Sequence, residues 1–189
     1  MTLLRLALLV FGYSLIAPVS GFEPSNVVQA VGTIEYALTP GNDAAGLIVR
    51  TIDSAKAQVL VQAFSFTNRD IADALIRAHR RGVDVQMIAD REQTDSMESS
   101  ALQSILKAGL PVFTDAEHSA AHNKVIVIDQ NAQQPALITG SFNFTFAAQF
   151  RNAENVLVLR DNRELTRAFY SNWRQHREHA IALVNGLTK

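Results

Sequence analysis

Apolar and polar positions along the chain change period several times, and each change marks an element. Gly32 to Leu38 reads as a strand. Between Asn42 and Ala55, apolar residues at 44, 47, 48, 52 and 55 follow the helical period, with Asn42 or Asp43 as cap. Ala57 to Phe66 is a strand rich in β-branched and aromatic residues. Thr67-Asn-Arg-Asp70 has the form of a capping box opening a helix through Arg81, and Gly82 sits where a C′ glycine belongs. Val83 to Ala89 predicts the next strand, Asp95 with Glu98 the cap of a helix to about Gly109, and Pro111 to Thr114 a short strand. Strand and helix alternating at this spacing imply right-handed crossovers and parallel pairing under a cover of helices.

The second half changes character. His122 to Ile128 and Ala136 to Thr139 read as strands joined by a polar loop, Glu154 to Leu159 as another, and Asp161 with Glu164 as the opening of a long terminal helix. Connections this short between strands imply antiparallel pairing. The expectation is therefore an α/β fold with one domain per chain: a mixed, largely parallel β-sheet sandwiched between helices. No internal repeat, low-complexity tract or linker interrupts the chain after residue 40.

The N-terminus follows a different logic. A lone Arg5 precedes an uncharged apolar run from Leu6 to Ala17 that ends at Pro18 and small residues, the pattern of a secretory signal. The run is shorter than the roughly 20 residues of a spanning helix. Residues 1–21 are expected to be removed, or 1–30 if cleavage follows Ala30 rather than Gly21, leaving 31–189 as the catalytic domain of an exported, periplasmic or secreted protein without stable membrane insertion. An uncleaved anchor is the alternative, and intact mass distinguishes them.

Composition narrows the chemistry. The chain has 189 residues, five His and no Cys. Absence of Cys excludes a disulfide framework, a thiolate metal site and a thiol nucleophile, leaving oxygen and imidazole groups. A formal charge of −1 gives no global attraction to nucleic acid or anionic membrane.

The informative segments are His122-Asn-Lys-Val-Ile-Val-Ile-Asp129 and Gly140-Ser-Phe-Asn143. Alternation along a strand points His122 and Lys124 the same way, about 7 Å apart, which suits two contacts on one phosphate. Ser141 and Asn143 share the same relation, and both can hydrogen-bond a phosphoryl oxygen. Lys124 would meet developing negative charge, and His122 would act as nucleophile or proton-transfer group. Asp129 has the opposite parity and is expected to be partly structural, organising the following loop. Glu154 could accept the Nδ1 proton of His122 and fix its tautomer. An isolated H-x-K-x₄-D occurs by chance in roughly one to two per cent of chains this long, and the downstream G-S-x-N lowers that more than tenfold, so the joint pattern is specific.

These residues resemble the phospholipase D superfamily, most closely its small secreted bacterial endonucleases with a single motif. The likeness runs from about Ala55 to Trp173, with local matches at Ala63-Phe-Ser-Phe-Thr, Arg81-Gly-Val-Asp-Val, Gly140-Ser-Phe-Asn-Phe-Thr and Asn152-Ala-Glu-Asn-Val. The ten residues between Asp129 and Gly140 are more than the pattern usually has. The resemblance implies two-step phosphodiester hydrolysis: His122 forms a phosphohistidine, Lys124, Ser141 and Asn143 line the phosphate site, and Glu154 orients His122. It implies a homodimer whose two copies of His122 share one site. The substrate expected is nucleic acid, cleaved without sequence preference. A phospholipid hydrolase or phosphatidyl transferase is the competing enzyme reading, and a catalytically inactive nucleic-acid-binding protein the reading from another class.

Other residues carry weaker signals. Arg69, Arg80, Arg81, Arg91 and Arg151 could track a nucleic-acid backbone, and Phe142, Phe144, Phe146 and Phe150 could stack on bases, though phenylalanines at every second strand position usually belong to a core. His118 is a weaker candidate for the second imidazole. His176 and His179 resemble a metal pair without a third ligand, so a solvated helix face is expected there and no metal or cofactor is assigned.

Overall fold

The computed structural model describes residues 25–96, 100–184 and 187–188. The signal-like segment up to residue 24 lies outside them. The chain begins with β1 (Thr33–Thr39), α1 (Ala44–Asp53), β2 (Gln58–Ala63), α2 (Arg69–Arg80), β3 (Asp84–Asp90), α3 (Arg91–Ser96), α4 (Ser100–Lys107) and β4 (Val112–Asp115). It continues through β5 (Lys124–Ile128), β6 (Ala136–Gly140), α5 (Phe146–Phe150), β7 (Glu154–Arg160), α6 (Arg163–His179), β8 (Ile181–Val184) and β9 (Leu187–Thr188).

Among the described residues the strands form one sheet in the order β1-β7-β6-β5-β2-β3-β4-β8-β9. The mixed sheet is as expected, but its parallel share is smaller. Only β2 with β3 and β3 with β4 pair in parallel, and the other six pairings are antiparallel. The reason is β1, whose chain returns through α1 to the sheet centre while β1 itself lies at the edge beside β7. The first βαβ alternation therefore contributes no parallel pair.

Helices cover both faces. Leu47, Ile48 and Ile52 of α1, Ile71 and Leu75 of α2, and Leu102 and Ile105 of α4 join Val61, Met87, Ile126, Ile138 and Val158 in the main core. On the opposite face Leu165, Phe169 and Trp173 of α6, spaced by four residues along one stripe, pack on Leu60, Ile88, Val125, Val127 and Leu137. Trp173 donates its indole N–H to the Val61 carbonyl at 3.0 Å. Every residue of β5 is buried, as a central strand covered on both faces requires.

Several boundaries differ from the sequence reading. Asn68, not Thr67, caps α2 by accepting from the Ile71 N–H, and Asn162, not Asp161, caps α6 through Leu165. A short helix, α3, begins directly after β3, because Asp90 at the strand end accepts from the Gln93 N–H at 2.8 Å and turns the chain at once; the helix expected to open at Asp95 is α4, which begins at Ser100, and Glu98 lies outside the described residues. The segment 146–150 is a short helix capped by Thr145, and a further strand, β8, follows the terminal helix.

Candidate active site

The β2 and β6 strands end, and β5 and β7 begin, at one end of the sheet. Register fixes the neighbours: Ala63 lies opposite Lys124, and Gly140 opposite Val156. Candidate residues far apart in the chain thus meet at one end of the sheet.

Lys124 is the first residue of β5 and only 7% exposed. Its ammonium donates to the His122 carbonyl at 2.8 Å and lies 4.8 Å from the centre of the Phe64 ring. Burial pushes its pKa down to about 8, against the opposing pull of the Glu154 carboxylate. His122 stands just before the strand rather than within it, exposed to solvent, with its ring 4.4 Å from the same Phe64 ring. The Phe64 N–H donates to the Asn123 carbonyl at 3.0 Å, which extends the β2–β5 pairing under this corner. Phe64 was not singled out from the sequence as a site residue. The signal was an aromatic residue directly after a buried strand.

The second segment alternates as expected. Phe142 and Phe144 are buried in the main core, while Ser141 is exposed and Asn143 half-buried. Of the four phenylalanines considered for stacking, these two are core; Phe146 and Phe150, one helical turn apart, are exposed. The preceding Gly140 has φ +146°, and a Cβ there would run into the Asn155 backbone oxygen, so the turn requires glycine. The Asn143 Oδ1 is buried without a hydrogen-bond partner among the described residues.

Glu154 does not contact His122. Its carboxylate accepts from the Ser141 hydroxyl at 2.6 Å and the Asn152 amide at 3.0 Å. Ser141 Oγ in turn accepts from the Asn155 N–H at 3.0 Å. Ser141 and Glu154 thus form a linked pair bridging the residue after β6 to the start of β7.

Asp129 lies at the opposite end of β5, away from His122. Its carboxylate accepts three backbone N–H groups, of Lys56 at 2.8 Å and of Ala57 and Gln58 at 2.7 Å each. Its φ of +50° directs the side chain back to the start of β2. The carboxylate therefore fixes β5 against β2, rather than organising the loop that follows it.

The remaining histidines are elsewhere. His79 ends α2, at the far end of the sheet. Asp115, at the end of β4, has a fully buried carboxylate whose Oδ2 lies 2.8 Å from His176 Nδ1, 3.1 Å from His179 Nε2 and 3.3 Å from His118 Nδ1. Burial alone would raise the Asp115 pKa; hydrogen bonds from His176 and His179 outweigh it and hold the carboxyl well below the usual range. The solvated face expected for His176 and His179 is thus replaced by a cluster of four. Among the cations, Arg80 and Arg81 lie at the far end, with Arg81 bonded to the Asp53 carbonyl. Arg69, Arg91 and Arg151 stand nearer the site end.

Residues 48–177 match the family described as cardiolipin synthase, PLD-like domain. The chain belongs to the phospholipase D superfamily. At the level of that family it is a phosphodiester hydrolase. A phospholipase D of Rickettsia felis is 39% identical over 140 residues, 74% of this chain and 67% of the relative. A human mitochondrial cardiolipin hydrolase is 31% identical over 132 residues, and there the match spans half of the relative. Among solved structures, the phospholipase D family member Nuc from Salmonella typhimurium superimposes with a TM-score of 0.76 at 32% identity, covering 81% of this chain and 99% of Nuc. NucT from Helicobacter pylori gives 0.71 at 25% identity, covering 79% of this chain and 98% of NucT.

Proposed function

We propose that this phosphodiesterase is an endonuclease, acting on DNA or RNA without sequence preference and without a metal in its chemistry, through a phosphohistidine at a homodimer interface. The observation that carries the reading is the corner formed by exposed His122 and buried Lys124 on one phenylalanine ring.

His122 attacks phosphorus, the bond to the leaving oxygen breaks, and a second imidazole donates the proton that oxygen needs. The same imidazole then takes a proton from water, whose oxygen displaces His122 from phosphorus. Lys124 and the Asn143 amide hold the non-bridging oxygens, with Lys124 supplying the positive charge. Ser141 and Glu154 act as positioning residues that set the 141–143 turn. The chain has five histidines. One is in the corner, one at the far end of the sheet, and three surround Asp115. No second imidazole from the same chain reaches His122, which supports a second copy as its source.

Nuclease action is favoured by the resemblance of the single His122-x-Lys124 motif to small secreted endonucleases, and the fold matches Nuc and NucT over nearly their whole lengths. The phospholipid reading draws on relatives named phospholipase D. Incubation of the purified protein with plasmid DNA, RNA and phosphatidylcholine vesicles in excess EDTA separates the two. Cleavage of nucleic acid, lost in His122→Ala, is expected. Cleavage of lipid alone overturns the nuclease reading, and loss of nuclease activity in EDTA that Mg²⁺ restores overturns the metal-free chemistry.

A further inference from the structure

Three imidazoles converging on one buried carboxylate, at the end of β4 and not in the phosphate corner, have no part in the reaction above. Going along the sheet from β5 through β2 and β3 to β4 is three strand spacings, about 14 Å. We infer that Asp115, His118, His176 and His179 form a binding site for one zinc-type divalent cation, which ties the segment leading to His122 to the C-terminal helix.

The geometry carries this. One ligand atom from each of the four residues belongs to a set whose members all lie within 4.8 Å of one another, and the nitrogens facing Asp115 Oδ2 are His118 Nδ1, His176 Nδ1 and His179 Nε2. Zinc bonds of 2.0–2.1 Å in a tetrahedron place neighbouring ligands about 3.3 Å apart. The three separations from Asp115 Oδ2, 2.8 to 3.3 Å, already lie near that edge. Only the histidine nitrogens must draw together. His118 is on a loop, with a side chain 48% exposed, and has room to move.

The surrounding groups are those a metal site needs. The Glu117 carboxylate lies 3.1 Å from His179 Nδ1, the nitrogen left over when Nε2 turns to a cation, and so can accept its proton. The Glu117 N–H donates to Asp115 Oδ1 at 3.0 Å and leaves Oδ2 for the ion. In neutral His118 and His176 the proton moves to Nε2, freeing the Nδ1 lone pairs. Three imidazoles and one carboxylate suit zinc and its neighbours in the transition series far better than Mg²⁺ or Ca²⁺, which favour oxygen. With four protein ligands no position stays open for substrate, so the ion's role is structural. His118 precedes His122 by four residues, and Ala121 between them donates its N–H to Asp90 Oδ2 at 2.8 Å, so the clip acts on the segment that carries the nucleophile.

The test uses untagged full-length protein, stripped of metal and dialysed against Zn²⁺ or Co²⁺. One Zn²⁺ per chain, the intense visible absorption of four-coordinate Co²⁺ and a raised melting temperature are expected. Asp115→Asn should weaken binding at least 100-fold, and Glu117→Gln about tenfold. Since Asp115 is buried and its variant can misfold, His118→Gln on the loop is the second variant: it should melt like the metal-free wild type and lose the Zn²⁺-dependent rise. Substoichiometric binding by the wild type, or unchanged Zn²⁺ affinity in a folded His118→Gln, overturns the proposal. Neither outcome touches the nuclease reading, which is tested by activity at His122.

Discussion

Lys124 bears two opposed demands. To hold a phosphate it must be charged, yet burial lowers its pKa to about 8. Activity should therefore fall as pH rises through about 8, seen in the pH profile of kcat/KM. Stability runs the other way. The unfolded chain keeps this proton up to its ordinary value of 10.5, so the penalty is fully present below about 8 and is relieved as pH rises from there toward 10.5. Lys124→Met should lose about 10²–10³-fold in kcat without a lower melting temperature; a marked drop in melting temperature would show that the ammonium supports the fold. His122 and Lys124 were legible in the sequence because their relation is local, two residues along one extended segment. Glu154 was found but its partner was not, since Ser141 reaches it only through the β6–β7 register. The cluster on Asp115 escaped notice for the same reason: His176 is 61 residues away along the chain.

At the scale of elements, the hydrophobic period located the main strands and helices, and misread their ends. Asparagines at 68 and 162 took the caps assigned to neighbours, because Thr, Asn and Asp all satisfy the same N–H groups and only backbone direction selects among them. The parallel fraction was overread because alternation of strand and helix says which elements occur, not where the first strand is inserted. The turn from β6 into the phosphate corner depends on Gly140. Gly140→Ala should cost on the order of 2 kcal/mol, for a positive φ and a clash with the Asn155 oxygen, or about 4–8 °C in melting temperature for a chain this long. Its activity should fall along with its stability. A variant with wild-type melting would refute the conformational argument.

For the whole molecule, the distribution of histidines leads to a counting experiment. If each site takes one His122 from each of two chains, an equal mixture of wild type and His122→Ala, unfolded and refolded together, has about a quarter of all its pairs wild type in both chains and so about a quarter of the wild-type turnover, against about half for independent sites. Turnover per total protein reads this directly, and a value near half would remove the shared site.

The place of β1 has a further consequence, for the order in which the molecule comes together. Among the described residues this strand pairs only with β7, roughly 120 residues further along. Closing such a pairing early would mean a large loop-closure entropy, so the edge must be sealed late, after the central strands have assembled. During synthesis the first strand to emerge waits for nearly the whole chain.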